Sequence, residues 1–349
     1  PVDIYVERLA AKVTLRVDND KLVPVDGKPG IYKVKVTVAG DPNHQEQGTQ
    51  TGAADIYVRS LGWGGLNATA KDSYIVKNIE TAWSDADLGF VWNDAVWFRS
   101  YWGKSYNYGK QDGKYPDVSA EATVAEYLNY INADKLTKQF GQSAYCAENS
   151  NTSEIVSEYL HSAVTSILLK AQILDENEQP LEMIRYNGTL YKRNDYLNYV
   201  LNTLQKGNKL NLYCLEDEAA GKYVQIDHNC VELANDRDGK VYLKLKPLAA
   251  GTSLYRKSGE TYAPASDTEL GEVEKNMKDF NAYNEAIGYK DGLMYYNIPI
   301  EHLNNAATTT DAENKRVIPV AKYGIVRNHH YVVTVNSCLL YTSPSPRDS

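Results

Sequence analysis

Tyr32-Lys-Val-Lys-Val-Thr-Val38 alternates without interruption, with Tyr32, Val34, Val36 and Val38 on one side and Lys33, Lys35 and Thr37 on the other. Successive side chains of an extended chain point to opposite faces, so a period of two predicts a β-strand with one buried and one solvated face. Upstream, Val13, Leu15 and Val17 repeat the pattern. Between the two runs, Asp18-Asn-Asp20 and Asp26-Gly-Lys-Pro-Gly30 supply turn chemistry, so the expectation here is a hairpin or meander. Downstream, Ala163, Thr165, Ile167, Leu169, Ala171 and Ile173 alternate again and meet a turn at Asp175-Glu-Asn-Glu-Gln-Pro180.

Further strands are expected at Tyr223–Asp227, Leu293–Ile300 and Tyr331–Val335, and Val231–Leu233 should pair with Val241–Leu245 across Asn235-Asp-Arg-Asp-Gly239. Many short strands bounded by turns predict a mainly β protein of sandwich type. Val13, Leu15, Val34, Val36, Ile167, Leu169, Val333 and Val335 are its expected interior. Helical periodicity is confined to insertions. Leu197, Val200, Leu201 and Leu204 make one stripe, with Asn194 or Asp195 as N-cap and Gly207 just past the end. Leu270, Val273, Met277 and Phe280 make a second, stopped at Gly288, and a weaker one runs from Ser119 to about Leu136. None alternates with strands in a βαβ rhythm, which disfavours a parallel doubly wound sheet.

The 349 residues are 43% hydrophobic and carry a net charge of −8. That is enough apolar material for a sizeable core, and no basic surplus exists to neutralise nucleic-acid phosphates or an anionic membrane. No apolar run has the length of a membrane-spanning helix. The 28 tyrosines against 4 phenylalanines suit wet sheet faces and read as extracellular. Aromatics crowd Trp83 to Tyr108. A long ordered loop pinned by buried rings is favoured there over a ligand-stacking site.

Motifs for zinc hydrolysis, dinucleotide or NTP binding and the hydrolase elbow are absent. Asp236-Arg-Asp-Gly239 resembles the middle of a calcium loop, but the first and twelfth ligand positions would be Ala234 and Leu245, so it reads as a hairpin turn. His228 and Cys230 would share a strand face, yet no second close pair completes a tetrahedral set. Adjacent His329 and His330 make poor co-ligands on a strand and are assigned packing and capping roles. Cys146, Cys214 and Cys230 show no CxxC spacing and an odd count, so a disulfide framework is weakly supported and at least one thiol is expected free and buried. No catalytic, cofactor-binding or metal residue is assigned, no cofactor is expected, and the chain is read as non-enzymatic.

Three segments resemble the fimbrillin family of Bacteroidales, nearest to the stalk subunits of Porphyromonas short type V fimbriae. They are Val6-Glu-Arg-Leu-Ala-Ala-Lys-Val13, Tyr145-Cys-Ala-Glu-Asn149 with the strand that follows it, and Gly324-Ile-Val-Arg-Asn-His-His-Tyr-Val-Val-Thr-Val-Asn336. Arg99-Ser-Tyr-Trp102 and Tyr296-Asn-Ile-Pro-Ile300 fit the same pattern. The resemblance implies an antiparallel, Greek-key, transthyretin-like β-sandwich with helical and loop insertions. It also implies export as a lipoprotein, proteolytic maturation and polymerisation by strand donation into a fimbrium on the cell outer membrane. Implied partners are other fimbrial subunits, including anchor and tip proteins, and host or bacterial surface receptors. A tip or accessory adhesin with a glycan or protein ligand is the alternative, and a secreted carbohydrate-active enzyme is a more distant one.

On this reading residues 1–337 form one domain of the fimbrillin C-terminal type, with insertions at about 83–160 and 175–290, and an upstream domain lies outside the sequence. Cys338-Leu-Leu-Tyr-Thr-Ser-Pro-Ser-Pro-Arg-Asp348 translates a transposase sequencing adapter, so residues 338–349 are read as an artefactual tail. The natural chain is then expected to continue beyond about Ser337. Removing residues 338–349 should leave the melting temperature unchanged. A drop on truncation, measured by circular dichroism, would show that the tail is part of the fold.

Overall fold

Residues 31–38 form the strand that their alternation requires, but its partner is not the alternating run at Val13–Val17. The computed structural model describes residues 8, 10–38, 52–67, 69–70, 73–76, 102–105, 128–129, 133–147, 149–150, 155–157, 166–236, 239–247, 253–280, 285–302, 309–312, 316–319, 322–325 and 327–336. In chain order the principal strands are β1 (Ala10–Val17), β2 (Leu22–Pro24), β3 (Ile31–Val38), β4 (Gly52–Asn67), β5 (Ser143–Ala147), β6 (Ser166–Leu174), β7 (Met183–Tyr186) and β8 (Thr189–Lys192). After helix α1 (Arg193–Lys206) come β9 (Tyr213–Asp217), β10 (Lys222–Gln225), β11 (Val231–Asn235), β12 (Val241–Leu245), β13 (Leu254–Ser258) and β14 (Thr261–Pro264). Helix α2 (Asp267–Asp279) precedes β15 (Ile287–Tyr289), β16 (Leu293–Pro299) and β17 (His330–Val335).

One large sheet runs in the order β15-β7-β8-β3-β4-β6-β16, with β2 beside β3. A three-stranded sheet runs β17-β1-β5. Pairing is antiparallel except that β17 lies parallel to β1 and β8 touches β3 in parallel at Leu190 and Val38. The expected hairpin between β1 and β3 therefore does not form. Asp18 turns the chain, its carbonyl accepting from the Lys21 and Leu22 N–H groups, and the chain crosses from the small sheet to the large one. The hairpin is instead β2–β3, closed by the Asp26–Gly30 turn in which Gly27 and Gly30 hold positive φ.

Between the sheets lies the main core. Val13, Leu15, Val34, Ile167, Leu169 and Val335 are buried in it, with Val36 and Val333 half-buried against it, so the eight expected interior positions line one cluster. Trp63 is fully buried there and donates its indole N–H to the Gln139 carbonyl at 2.9 Å. Gly62 beside it has φ +130°, and a Cβ would sit 2.3 Å from the Leu136 carbonyl oxygen, which is why the chain can fold so closely over this bulged part of β4. At the far end both β6–β7 and β15–β16 turn a corner. Asp175 Oδ1 accepts the N–H groups of Asn177 and Gln179, and Leu181 N–H returns to the Ile173 carbonyl.

A second core fills residues 184–286. Strand β7 is its shared wall: Met183 faces the first core, while Ile184 and Tyr186 face the second. Helix α1 buries Tyr196, Val200, Leu201 and Leu204, and Gly207 caps its end as expected. Its start differs from expectation. The N-cap is Lys192, with no side-chain cap, rather than Asn194 or Asp195. Arg193, the first helical residue, ties this end to groups outside the helix, with its guanidinium on Glu182 at 2.8 Å and on the Leu233 carbonyl at 2.7 Å. Helix α2 opens with a Ser266–Glu269 capping box, buries Val273 and Met277, and ends at Asp279 rather than at Gly288, which belongs to β15. The structure joins Cys214 to Cys230 in a disulfide and leaves Cys146 free.

Most of Ser119–Leu136 lies outside the described residues. Within it Leu128–Asn129 is a strand paired with Thr69–Ala70 and Ala133–Lys135 a single 3-10 turn, so the described part is not the expected α-helix. Of Trp83–Tyr108 only Trp102–Ser105 is described, as a strand paired with Ser73–Val76. Ala163 and Thr165 also lie outside the described residues.

Replacing Leu169 by Ala should cost about 2–5 kcal/mol in urea unfolding, and no loss would remove Leu169 from the core. Two glycines make a paired test. Gly27→Ala, in open space at φ +71°, should cost about 1–2 kcal/mol for the left-handed backbone alone. Gly292→Ala should cost more, because at φ +68° its Cβ would also press to 2.4 Å from the Ile173 carbonyl oxygen. Equal losses would show that the corner can open.

Candidate functional site

The alternation of β17 sends Tyr331, Val333 and Val335 toward the main core and leaves His330, Val332 and Thr334 exposed, with Val332 at 44%. Its parallel register pairs Lys12 with His330 and Val17 with Val335. The Lys12 and Asp18 N–H groups donate to the carbonyls of His329 and Val335, at 3.0 and 2.9 Å. In a parallel ladder one strand's alternate residues carry both bonds to a given neighbour. Residues 331, 333 and 335 thus serve β1, and the N–H and C=O groups of His330, Val332 and Thr334 point the other way. Among the described residues no strand pairs with that outer edge. The other edge of this sheet is β5, where Tyr145 stands 68% exposed.

Polar contacts tie the three strands together. Thr14, buried on the central strand, lies 2.7 Å from Ser143 Oγ and 2.8 Å from His330 Nε2. This hydroxyl–imidazole row could suggest a nucleophile and its base, but among the described residues no carboxylate is hydrogen-bonded to His330, and triad chemistry needs the base oriented by a third group. The row instead fixes strand register. His330 therefore points away from the core and His329 toward the loop, where its Nδ1–H donates to the Arg327 carbonyl at 2.9 Å. His329 thus bonds the loop backbone, and His330 the Thr14 hydroxyl.

At the entrance to β17 sits a cluster that the sequence did not reveal. Tyr331 Oη lies 2.7 Å from His302 Nδ1, and the His302 and His329 rings meet edge to face at 5.5 Å. His302 is held neutral, its pKa pushed down to about 3, first by burial and second by the nearby His329. Alongside, Lys322 Nζ lies 3.5 Å from Glu301 and 5.6 Å from the centre of the Tyr323 ring, and His302 N–H donates to the Lys322 carbonyl.

Among the described residues no group of three or more His, Cys, Asp and Glu side chains could hold a metal ion. Cys230 is engaged by Cys214, so the pair it made with His228 in sequence has no thiolate to offer. Asp236 Oδ1 accepts the Lys240 N–H within the β11–β12 hairpin, which is the turn reading of that acidic segment. Among the described residues no helix is long and apolar enough to cross a membrane.

Residues 288–348 match the family described as major fimbrial subunit protein type IV, fimbrillin, C-terminal. That match supports a fimbrillin family member, and the family is a structural, non-enzymatic one. The matched segment runs from within β15 through β16, His302, Lys322 and the whole of β17, so both the open edge and the histidine cluster fall inside it. It takes in Gly324–Asn336 and Tyr296–Ile300, but not the resembling segments at Val6–Val13 and Tyr145–Asn149. It also reaches residue 348, across most of the segment read as adapter-derived, which lies outside the described residues. No curated protein matches the chain.

The neutral His302 gives a pH test. Unfolded, the imidazole titrates near 6.5, so the stability of the neutral folded form is fully present above that pH and is lost as pH falls from 6.5 toward 3. Urea unfolding at a series of pH values should show His302→Gln flattening this decline, by up to about 1.4 kcal/mol per pH unit. Parallel curves for wild type and variant would mean that His302 is already protonated in the fold.

Proposed function

We propose that the chain is a shaft-type structural subunit of a surface fimbria, and that the outer edge of β17 takes up an extended segment from a neighbouring subunit. What supports the reading is the coincidence of the fimbrillin match with a sheet edge that no strand pairs with among the described residues. An added strand would satisfy the outward N–H and C=O groups of His330, Val332 and Thr334. It would also cover the half-buried flank of the core along Tyr331 and Val333. Each new ladder bond is worth only about 0.5–1.5 kcal/mol net, so a durable joint needs that side-chain burial as well. The proposed partners are further copies of the subunit together with anchor and tip proteins, and host or bacterial surface receptors. The proposed location is extracellular, on a fimbrium of the cell outer membrane.

Val332→Pro tests the edge without breaking the fold. The Val332 N–H points away from β1, so proline removes a donor that the monomer does not use in this ladder, and proline is tolerated on edge strands for that reason. In the full gene product, wild type should form fibres under electron microscopy and detergent-resistant ladders on gels. The proline variant should keep its melting temperature and form neither. Fibres from the variant at the wild-type rate would place the joint elsewhere, and wild type that never polymerises would sink the fimbrial reading.

A further inference from the structure

The four-stranded sheet β10-β9-β13-β14 turns one face into the second core, where Leu254 is buried and Cys214 packs against it. Alternation along the same strands sends Tyr213 and Tyr255 to the opposite face, where they sit side by side in the register of β9 and β13. The outermost strands β10 and β14 contribute Tyr223 and Tyr262, which reach across the middle strands and stack face to face. Their centroids lie 4.0 Å apart and their planes within 7°. Tyr213 meets Tyr262 edge-on at 5.2 Å and Tyr255 meets Tyr223 at 5.0 Å, bracing the stack from both sides. All four rings are only half-buried, and none belongs to the core.

We propose that Tyr223 and Tyr262 form an oxidative cross-linking site, joined ortho carbon to ortho carbon as an intramolecular dityrosine when a haem peroxidase and hydrogen peroxide act on the protein. Each phenol gives up one electron and one proton to become a phenoxyl radical with spin on its ortho carbons. The two radicals combine in a carbon–carbon bond, and each coupled ortho carbon then passes its hydrogen, as a proton, to the ring oxygen, restoring both phenols. Two electrons and two protons leave the protein in all and convert one peroxide to two waters.

Geometry selects this pair. Radicals on separate molecules must find each other, whereas two rings already in van der Waals contact couple with the advantage of a unimolecular step. Bond formation requires the rings to slide and tilt, and side chains open to solvent on one side have the room. The aromatic cluster of Tyr186, Tyr196 and Tyr199 lacks both features, with tilted rings 5.6–6.4 Å apart and Tyr196 fully buried. The bond would tie the two outer strands of the sheet over its open face. Like a disulfide it would restrict the unfolded chain, and thiols would not reverse it.

The test treats the dilute full chain with a haem peroxidase and peroxide and isolates the monomer. The expected result is dityrosine fluorescence, an intact mass lower by two hydrogens, and a proteolytic fragment joining the peptides that carry Tyr223 and Tyr262. Tyr223→Phe and Tyr262→Phe should each reduce the monomer signal to background, while Tyr242→Phe, at an exposed tyrosine, should leave it intact. Thermal melts check that each variant is folded. Should one fail to fold, the fragment map of the wild type decides alone. A monomer of unchanged mass, a cross-link mapping to other tyrosines, or dityrosine confined to covalent dimers would overturn the inference. None of these outcomes depends on whether the chain forms fimbriae.

Discussion

The structure hangs on the packing of β6 against β1 across the sandwich. Ile167, Leu169, Ala171 and Ile173 from the large sheet and Ala11, Val13 and Leu15 from the small one are all buried in a single cluster. β6 can hold this position because it is flanked on both edges, by β4 and β16, and so has no open edge of its own. β1 is likewise central, between β5 and β17. Once these two strands face each other, the remaining choices narrow. β4 must bulge at Gly62 to let residues 136–138 cover Trp63, and the large sheet must turn a corner at Asp175 and Gly292 before it can serve as the wall of a second core.

Much of this was legible because burial on one face of a strand or a helix imposes a period that composition cannot hide. The eight interior positions, the β11–β12 hairpin and the two helical stripes all follow from that rule. What the rule cannot say is which sheet a strand joins. β1 and β3 have the same alternation and an apt turn between them, yet they lie in opposite sheets, because a sandwich buries either arrangement equally well until distant strands choose. The start of α1 was misplaced for a similar reason. Arg193 is held by Glu182 and the Leu233 carbonyl, and such long-range anchors leave no local cap to read.

The candidate site was legible in part. The late strand was visible as alternation, and the resemblance lay on the same residues, but that no strand pairs with its outer edge among the described residues emerges only from the pairing of the other strands. His302 carried no sequence signal at all: it is a single histidine next to one acid, and only the fold brings it to His329 and Tyr331. The cysteines are comparable. The lack of CxxC spacing and an odd count gave only weak support for a disulfide, whereas β9 and the turn before β11 bring Cys214 and Cys230 together beside the second core.

The two halves of the candidate site constrain each other. Tyr331 points inward and is held at its hydroxyl by His302, and the next residue, Val332, presents its backbone to the open edge. The inward residues of β17 therefore set the position of the outward ones, as Thr14 does from the β1 side through His330. An edge that is to accept another strand must be straight and in register before the partner arrives, since every misaligned bond weakens a joint whose individual bonds contribute little. Burial of a neutral imidazole carries a desolvation penalty if it is ever protonated, which makes that end of the strand sensitive to acid. The same burial gives Tyr331 a partner of fixed geometry. A solvated side chain at position 302 would remove the acid sensitivity and, with it, the constraint that keeps the edge in line.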